Sequence, residues 1–152
     1  MMTGRLASTL SDLHRDETEL AAALLRTAGR HPADPEIAYV GHDLARWSRR
    51  HATDLVETAH RYGLRIGAEP SAPDASPPAG DPGLTLLAEL RGLHERTAGI
   101  ALVWDIVTQA AQALRDDELL ALARTCHAQT QQQLAWSKAL VKANAAQLLA
   151  VP

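Results

Sequence analysis

The chain has 152 residues and a formal net charge of −3, enough for a single domain over residues 1–152 with a sizeable core. Lysine is confined to Lys138 and Lys142, and no basic cluster stands out, so the electrostatic footprint of a nucleic-acid binder is missing. One cysteine, Cys126, excludes an intramolecular disulfide framework, no apolar run approaches a membrane span, and Met1 to Leu10 carries no apolar signal core; the expectation is a cytoplasmic protein with neither nucleic acid nor membrane as partner.

With no Phe and only 3% aromatics, a core has to be built from Leu, Ala, Val and three Trp. Ala and Leu favour helix, and small side chains let helices approach closely. The first stripe is Leu6, Leu10, Leu13, Glu17, Leu20 and Leu24, spaced in alternating steps of four and three. That rhythm puts all six on one helix face and predicts a helix over 5–28, with a carboxylate in the middle of its apolar side. Gly29-Arg30-His31-Pro32 reads as a C-cap glycine followed by a stop.

Asp34-Pro35 starts a second helix, predicted over 35–62, because Asp caps and Pro suits the first helical position. Its stripe reads Ile37, Val40, Leu44, Trp47, His51, Leu55, Thr58, Tyr62 and ends at Gly63. One polar side chain, His51, again sits mid-stripe. The short connection makes the first two helices antiparallel neighbours.

Residues 64–82 hold Pro70, Pro73, Pro77, Pro78 and Pro82 among Gly, Ser and Ala, and they break the helical pattern. Nineteen extended residues span roughly 60 Å, more than the length of a helix. A loop this long needs a reason, and a crossover from one end of a bundle to the other supplies it.

Asp81-Pro82 repeats the cap chemistry and opens a helix predicted over 83–115. Leu86, Leu90, Leu93, Thr97, Ile100, Trp104, Val107, Ala111 and Leu114 keep the same rhythm throughout. At 1.5 Å per residue this helix is roughly 48 Å long, and one so apolar on one side must be covered by the others. Arg115 to Glu118 makes the turn into a fourth helix, predicted over 117–148, with acids at its positive start. Its expected core face is Leu119, Ala123, Cys126, Thr130, Leu134, Ser137, Val141 and Leu148.

Two helical hairpins joined by a long crossover predict an all-α four-helix bundle with the second and third helices parallel. This pattern, with Trp47-Ser48-Arg49-Arg50-His51 and Arg61-Tyr62-Gly63 in the second helix, resembles the ferritin-like superfamily in a divergent branch of small bacterial members. The resemblance spans nearly the whole chain and is one of architecture and pattern. It implies a place to look for a di-iron centre: Glu on the first and third helices, Glu-x-x-His on the second and fourth.

Glu17 matches the first of these positions, and Glu57-Thr58-Ala59-His60 matches the second literally. Helical-wheel arithmetic turns Glu57 and His60 away from the face of His51 and Leu55, toward solvent. On the third helix Glu95 points opposite the stripe and Glu89 lies near the start. From Leu119 to Pro152 there is no Asp or Glu at all. Iron sites of this kind depend on carboxylates, so no di-iron centre is expected. A reduced site from Glu17, His51 and Asp54, holding iron or manganese, is the alternative. The plainer expectation is that Glu17 and His51 form a buried acid–imidazole pair.

Hemerythrin-like spacings are absent from the helices, and the His-x-x-x-His of DinB-like hydrolases reads His127 to Gln131 here, where Gln is a poor metal ligand. His94 and His127 lie on the flanks of their stripes, with His127 near the level of Asp105. Cys126 falls on the core side as an inert small hydrophobe. Trp47 and Trp104 occupy stripe positions. Trp136, with Leu122 and Leu140, gives the fourth helix more apolar surface than one core uses, which points to a partner. The resulting expectation is a non-catalytic interaction or scaffolding module without a cofactor, homodimeric through the fourth helix and the apolar tail Leu148 to Pro152. Its rivals are a metal-binding ferritin-like protein and a carrier of a small ligand in the bundle interior.

Overall fold

The computed structural model describes residues 4–67 and 79–152, and these hold four long helices and no strand. They are α1 (Gly4–Arg30), α2 (Gly41–Arg61), α3 (Pro82–Leu114) and α4 (Asp117–Ala150), with a π-helical turn at Glu36–Val40 leading into α2. Residues 68–78, the centre of the expected crossover, lie outside the described residues.

The helix ends follow from local chemistry. Asp34 Oδ1 accepts from the Glu36 and Ile37 amides at 3.1 and 3.3 Å, holding the turn that opens the second helical segment. Asp81 does the same for Gly83 and Leu84 at 2.9 and 3.0 Å, with Pro82 at the first helical position. Asp116 caps α4 through the Leu119 amide, and Arg115 takes the left-handed conformation that turns α3 into it. Gly63, at φ +76°, ends α2 while the Leu64 amide reaches back to the Ala59 carbonyl, a Schellman-type stop. Gly29 does not play the C-cap role expected of it. The helix runs through Arg30, and the turn before Pro35 is closed by Asp34 N bonding His31 O.

Neighbouring helices run antiparallel. Glu17 meets His51 while Ala28 packs on Gly41, so α1 and α2 run in opposite senses. A Cβ added at Gly41 would lie 3.2 Å from the Ala28 Cβ, so the missing side chain lets the two helices approach closely here. Glu19 pairs with Arg96 and Arg30 with Glu89, fixing α1 against α3. His94 meets Ser137 and Asp105 meets His127, fixing α3 against α4. Arg61 pairs with Glu118 while Ser48 takes a bond from Gln133, fixing α2 against α4. The diagonal pairs, α1 with α4 and α2 with α3, make no close backbone approach, and α2 and α4 approach least among neighbours.

The core runs through the centre of the four helices. Leu10, Leu13, Leu20, Ile37, Leu55, Leu90, Trp104, Val107 and Leu119 are all but fully buried. Burying each such side chain is worth about 1.5–3 kcal/mol. The stripes of α1 and α3 pack as expected, save that Leu114 is exposed and Leu86 half-buried at the ends of α3. Two stripes need correction. On α2, Ser48 is buried and Trp47 only half-buried. On α4 the buried set is Leu119, Ala123, Cys126, Thr130, Gln133, Ser137 and Leu140; Leu134 and Val141 are half-buried and Leu148 is exposed. The four-three rhythm persists through the polar positions, because Gln133 finds hydrogen bonds inside and need not turn out.

Candidate functional site

The polar interior is centred on His51. Its Nδ1 hydrogen-bonds Glu17 Oε2 in a short contact, and both side chains are almost completely buried, at 1% and 0% exposure. Its Nε2 lies 2.7 Å from Gln129 Oε1 on α4. Both ring nitrogens are thus engaged, Nδ1 by a carboxylate and Nε2 by a side-chain amide. The Trp104 ring stands edge-on to it, centroids 6.1 Å apart and planes at 82°. Every helix therefore contributes one side chain to this layer.

The electrostatics of the layer favour the protonated ring. Burial by itself lowers the His51 pKa; its hydrogen bonds to Cys126 and Glu17, with the Glu17 charge, overcome this and raise it to about 10. Burial raises the Cys126 pKa, so the sulfur beside the ring is a thiol at neutral pH and not a nucleophile. Below this layer Gln133 donates to Leu44 O at 3.0 Å and to Ser48 Oγ at 2.9 Å. Thr97 and Thr130 satisfy their hydroxyls on the Leu93 and Cys126 carbonyls of their own helices. Glu17 Oε1, Trp104 Nε1 and Gln133 Oε1 are buried with no hydrogen-bond partner among the described residues.

Asp54 does not join Glu17 and His51. It is half-buried at the rim of an open cleft of about 400 Å³ between α2 and α4, with Glu57, Arg61 and Glu118. Glu57 and His60 face solvent. Glu89 accepts from Arg30 at 2.9 Å and pairs with His31 at 3.0 Å. His94 Nδ1 lies 3.0 Å from Ser137 Oγ, and His127 lies 3.2 Å from Asp105. Among the described residues no three His, Cys, Asp or Glu side chains converge as a ligand set. Among the described residues Glu17 is the one buried carboxylate and His51 the one buried imidazole, which does not fit the acid and Glu-x-x-His set of a di-iron centre.

Two contributors escaped the sequence reading. Gln129 and Gln133 sit in a run rich in Gln and Ala where nothing marks an individual Gln as interior. The available signal was the unbroken four-three step from Leu119 to Leu140, which places Gln133 inside and Gln129 one residue from the buried Thr130.

The apolar surplus is also redistributed. Leu140 is buried, while Leu122 and Trp136 pack partly on the core, Trp136 donating to Glu36 Oε1 at 3.0 Å. Besides Tyr39, Val56 and Leu114, the large exposed apolar side chains are Leu102 and Ile106 on α3, at 62% and 52% exposure, and Leu84, Leu148, Leu149 and Val151 where α3 begins and α4 ends. No described helix is long and apolar enough to cross a membrane. Comparison of the chain with protein-family models, with curated proteins and with solved structures returns no match.

Proposed function

We propose that the chain is a ferritin-like four-helix bundle that works as an interaction or scaffolding module, without a di-metal centre and without catalysis. The observation that carries this is His51. Its two ring nitrogens are engaged by Glu17 and Gln129, which leaves neither free to bind a metal or to take a proton from a substrate. On this reading, the layer that holds metals in ferritin-like di-iron proteins is spent on joining helices.

The topology of the reading has its own support. With α1 antiparallel to both α2 and α3, the latter two run parallel, and the connection must return the length of the bundle. Gly67, after α2, lies against His14 of α1, so the chain has already turned back along α1 there. Gly83, at the start of α3, packs on Leu148 near the end of α4. Exposed apolar side chains at that end, with Leu102 and Ile106 on the outside of α3, favour a protein partner, a second copy of this chain through α4 and its tail.

The alternative, an iron or manganese protein with an atypical site at Glu17, His51 and Asp54, has in its favour the free Oε1 of Glu17. Elemental analysis of protein produced with iron and manganese in the medium separates the readings. The proposal expects well under one metal per chain. A stoichiometric metal lost in the His51→Leu variant overturns it.

A further inference from the structure

More than two helical turns along α1 from Glu17, a small cavity of about 150 Å³ opens on the outer side of the α1–α3 seam. Arg26, Thr27 and Arg30 line it from α1, and Glu89, Gly92 and Arg96 from α3. Steps of three and four on both helices bring these positions face to face. Among the lining side chains three guanidinium groups meet one carboxylate, with Glu19 at the rim against Arg96, on a chain whose net charge is −3.

The single carboxylate is already committed. Glu89 takes Arg30 on one oxygen and His31 on the other, at 2.9 and 3.0 Å. Arg96 makes a long 3.4 Å contact to the half-buried Glu19, its own side chain exposed, and its charge also reaches Asp16, so no close partner fixes it. Arg26 makes no hydrogen bond or ion pair among the described residues. Between these arginines Gly92 contributes no side chain, and a Cβ built there meets nothing within 4 Å. The space over Gly92 is therefore open in the seam that the arginines line. The volume is below that of sites for drug-sized ligands, typically about 300–1,000 Å³, and suits one compact polar group.

We propose that this seam binds a single phosphate-class oxyanion, held by the forked donors of Arg26 and Arg96 above Gly92. Guanidinium groups match the oxygens of a tetrahedral anion by paired N–H donation, and a partly enclosed pocket screens such bonds less than open water does. The anion can be free phosphate or the phosphoryl end of a monoester. This site is independent of the Glu17–His51 layer.

Isothermal titration of the full chain with inorganic phosphate and with methyl phosphate at low ionic strength tests the site. Saturable one-to-one binding is expected. Binding of both marks the phosphoryl group as the recognised element; binding of inorganic phosphate alone marks the free ion. Arg26→Gln and Arg96→Gln should each weaken binding by about tenfold or more, the usual effect of losing a charge-assisted hydrogen bond. Gly92→Asp places a carboxylate where the anion sits, with open space for it, and should abolish binding while the melting temperature holds. Absence of saturable binding at millimolar phosphate overturns the proposal, as does binding that Gly92→Asp leaves unchanged.

Discussion

The Glu17 carboxylate and the His51 ring, 34 residues apart in the chain, share a hydrogen bond from which water is excluded. Each would be costly to bury alone, and each offsets part of the cost of the other. Their effects on stability are therefore strongly non-additive. Glu17→Ala leaves a buried imidazole facing a cavity and is expected to cost about 1–3 kcal/mol. The double change Glu17→Leu with His51→Leu should be close to neutral or stabilising, as is common when a buried ionic pair gives way to packed apolar groups. Thermal melts of the single and double variants check this. A double variant less stable than Glu17→Ala alone would show that the pair is worth more than the apolar packing that replaces it.

The same pair sets a pH dependence. The folded His51 pKa of about 10 stands above its ordinary value of 6.5. A raised pKa means that the folded state holds the proton more tightly, so the stabilisation is complete below pH 6.5 and is lost as pH rises from there through about 10. One proton gives a slope of at most about 1.4 kcal/mol per pH unit. Cys126, raised above 9.0 by burial, adds a loss of the same sign at the alkaline end. Melting temperature should therefore fall steadily between pH 6.5 and 9, where Cys126 contributes little, and the Glu17→Leu, His51→Leu variant should lose most of that slope. An equal slope in both proteins would place the titration elsewhere.

Glu17 and His51 were legible because each interrupts an otherwise apolar stripe, and counting residues from the turn near Pro32 puts them within about one helical turn of the same height. The third partner was not. Gln129 reaches His51 across the α2–α4 seam, and nothing in a single sequence gives the rotation of α4 against α2. The exchange of Trp47 for Ser48, and of Leu134 for Gln133, has one cause. Choosing the most apolar residue near each expected position overrides the four-three step, whereas the helices keep the step and satisfy the polar groups internally. The Arg26–Arg96 seam was invisible for a related reason, since it forms only where two faces meet from segments some seventy residues apart.

Gln133 gives a separate test of the seam. Its amide donates to the Leu44 carbonyl and the Ser48 hydroxyl, both from α2. Gln133→Ala removes both bonds and leaves a cavity, and the expected loss is about 2–4 kcal/mol. Because α2 and α4 approach least among the neighbouring pairs, amide hydrogen exchange in α2 around Leu44 to Ser48 should rise before exchange elsewhere. A uniform rise across all four helices would mean that the bundle opens only as a whole.

The last prediction concerns assembly. Leu149 and Val151 are each 65% exposed, and Leu84 lies at the start of α3 beside the same end. Leu148 differs from them, because it packs on the bare backbone of Gly83, where a Cβ would meet its Cδ2 at 3.0 Å. Removing Leu148 would therefore disturb the fold as well as the surface, and the informative deletion is 149–152. Light scattering at micromolar concentration should give twice the chain mass for the full protein and the chain mass for the deletion, with the melting temperature of dilute samples little changed. Leu149→Asp should act in the same direction, because a carboxylate at an apolar contact must be desolvated without a partner. A full-length protein that scatters as a single chain would remove the dimer. A dimer that survives both changes would move the contact to Leu102 and Ile106, which a Leu102→Asp variant would then disrupt.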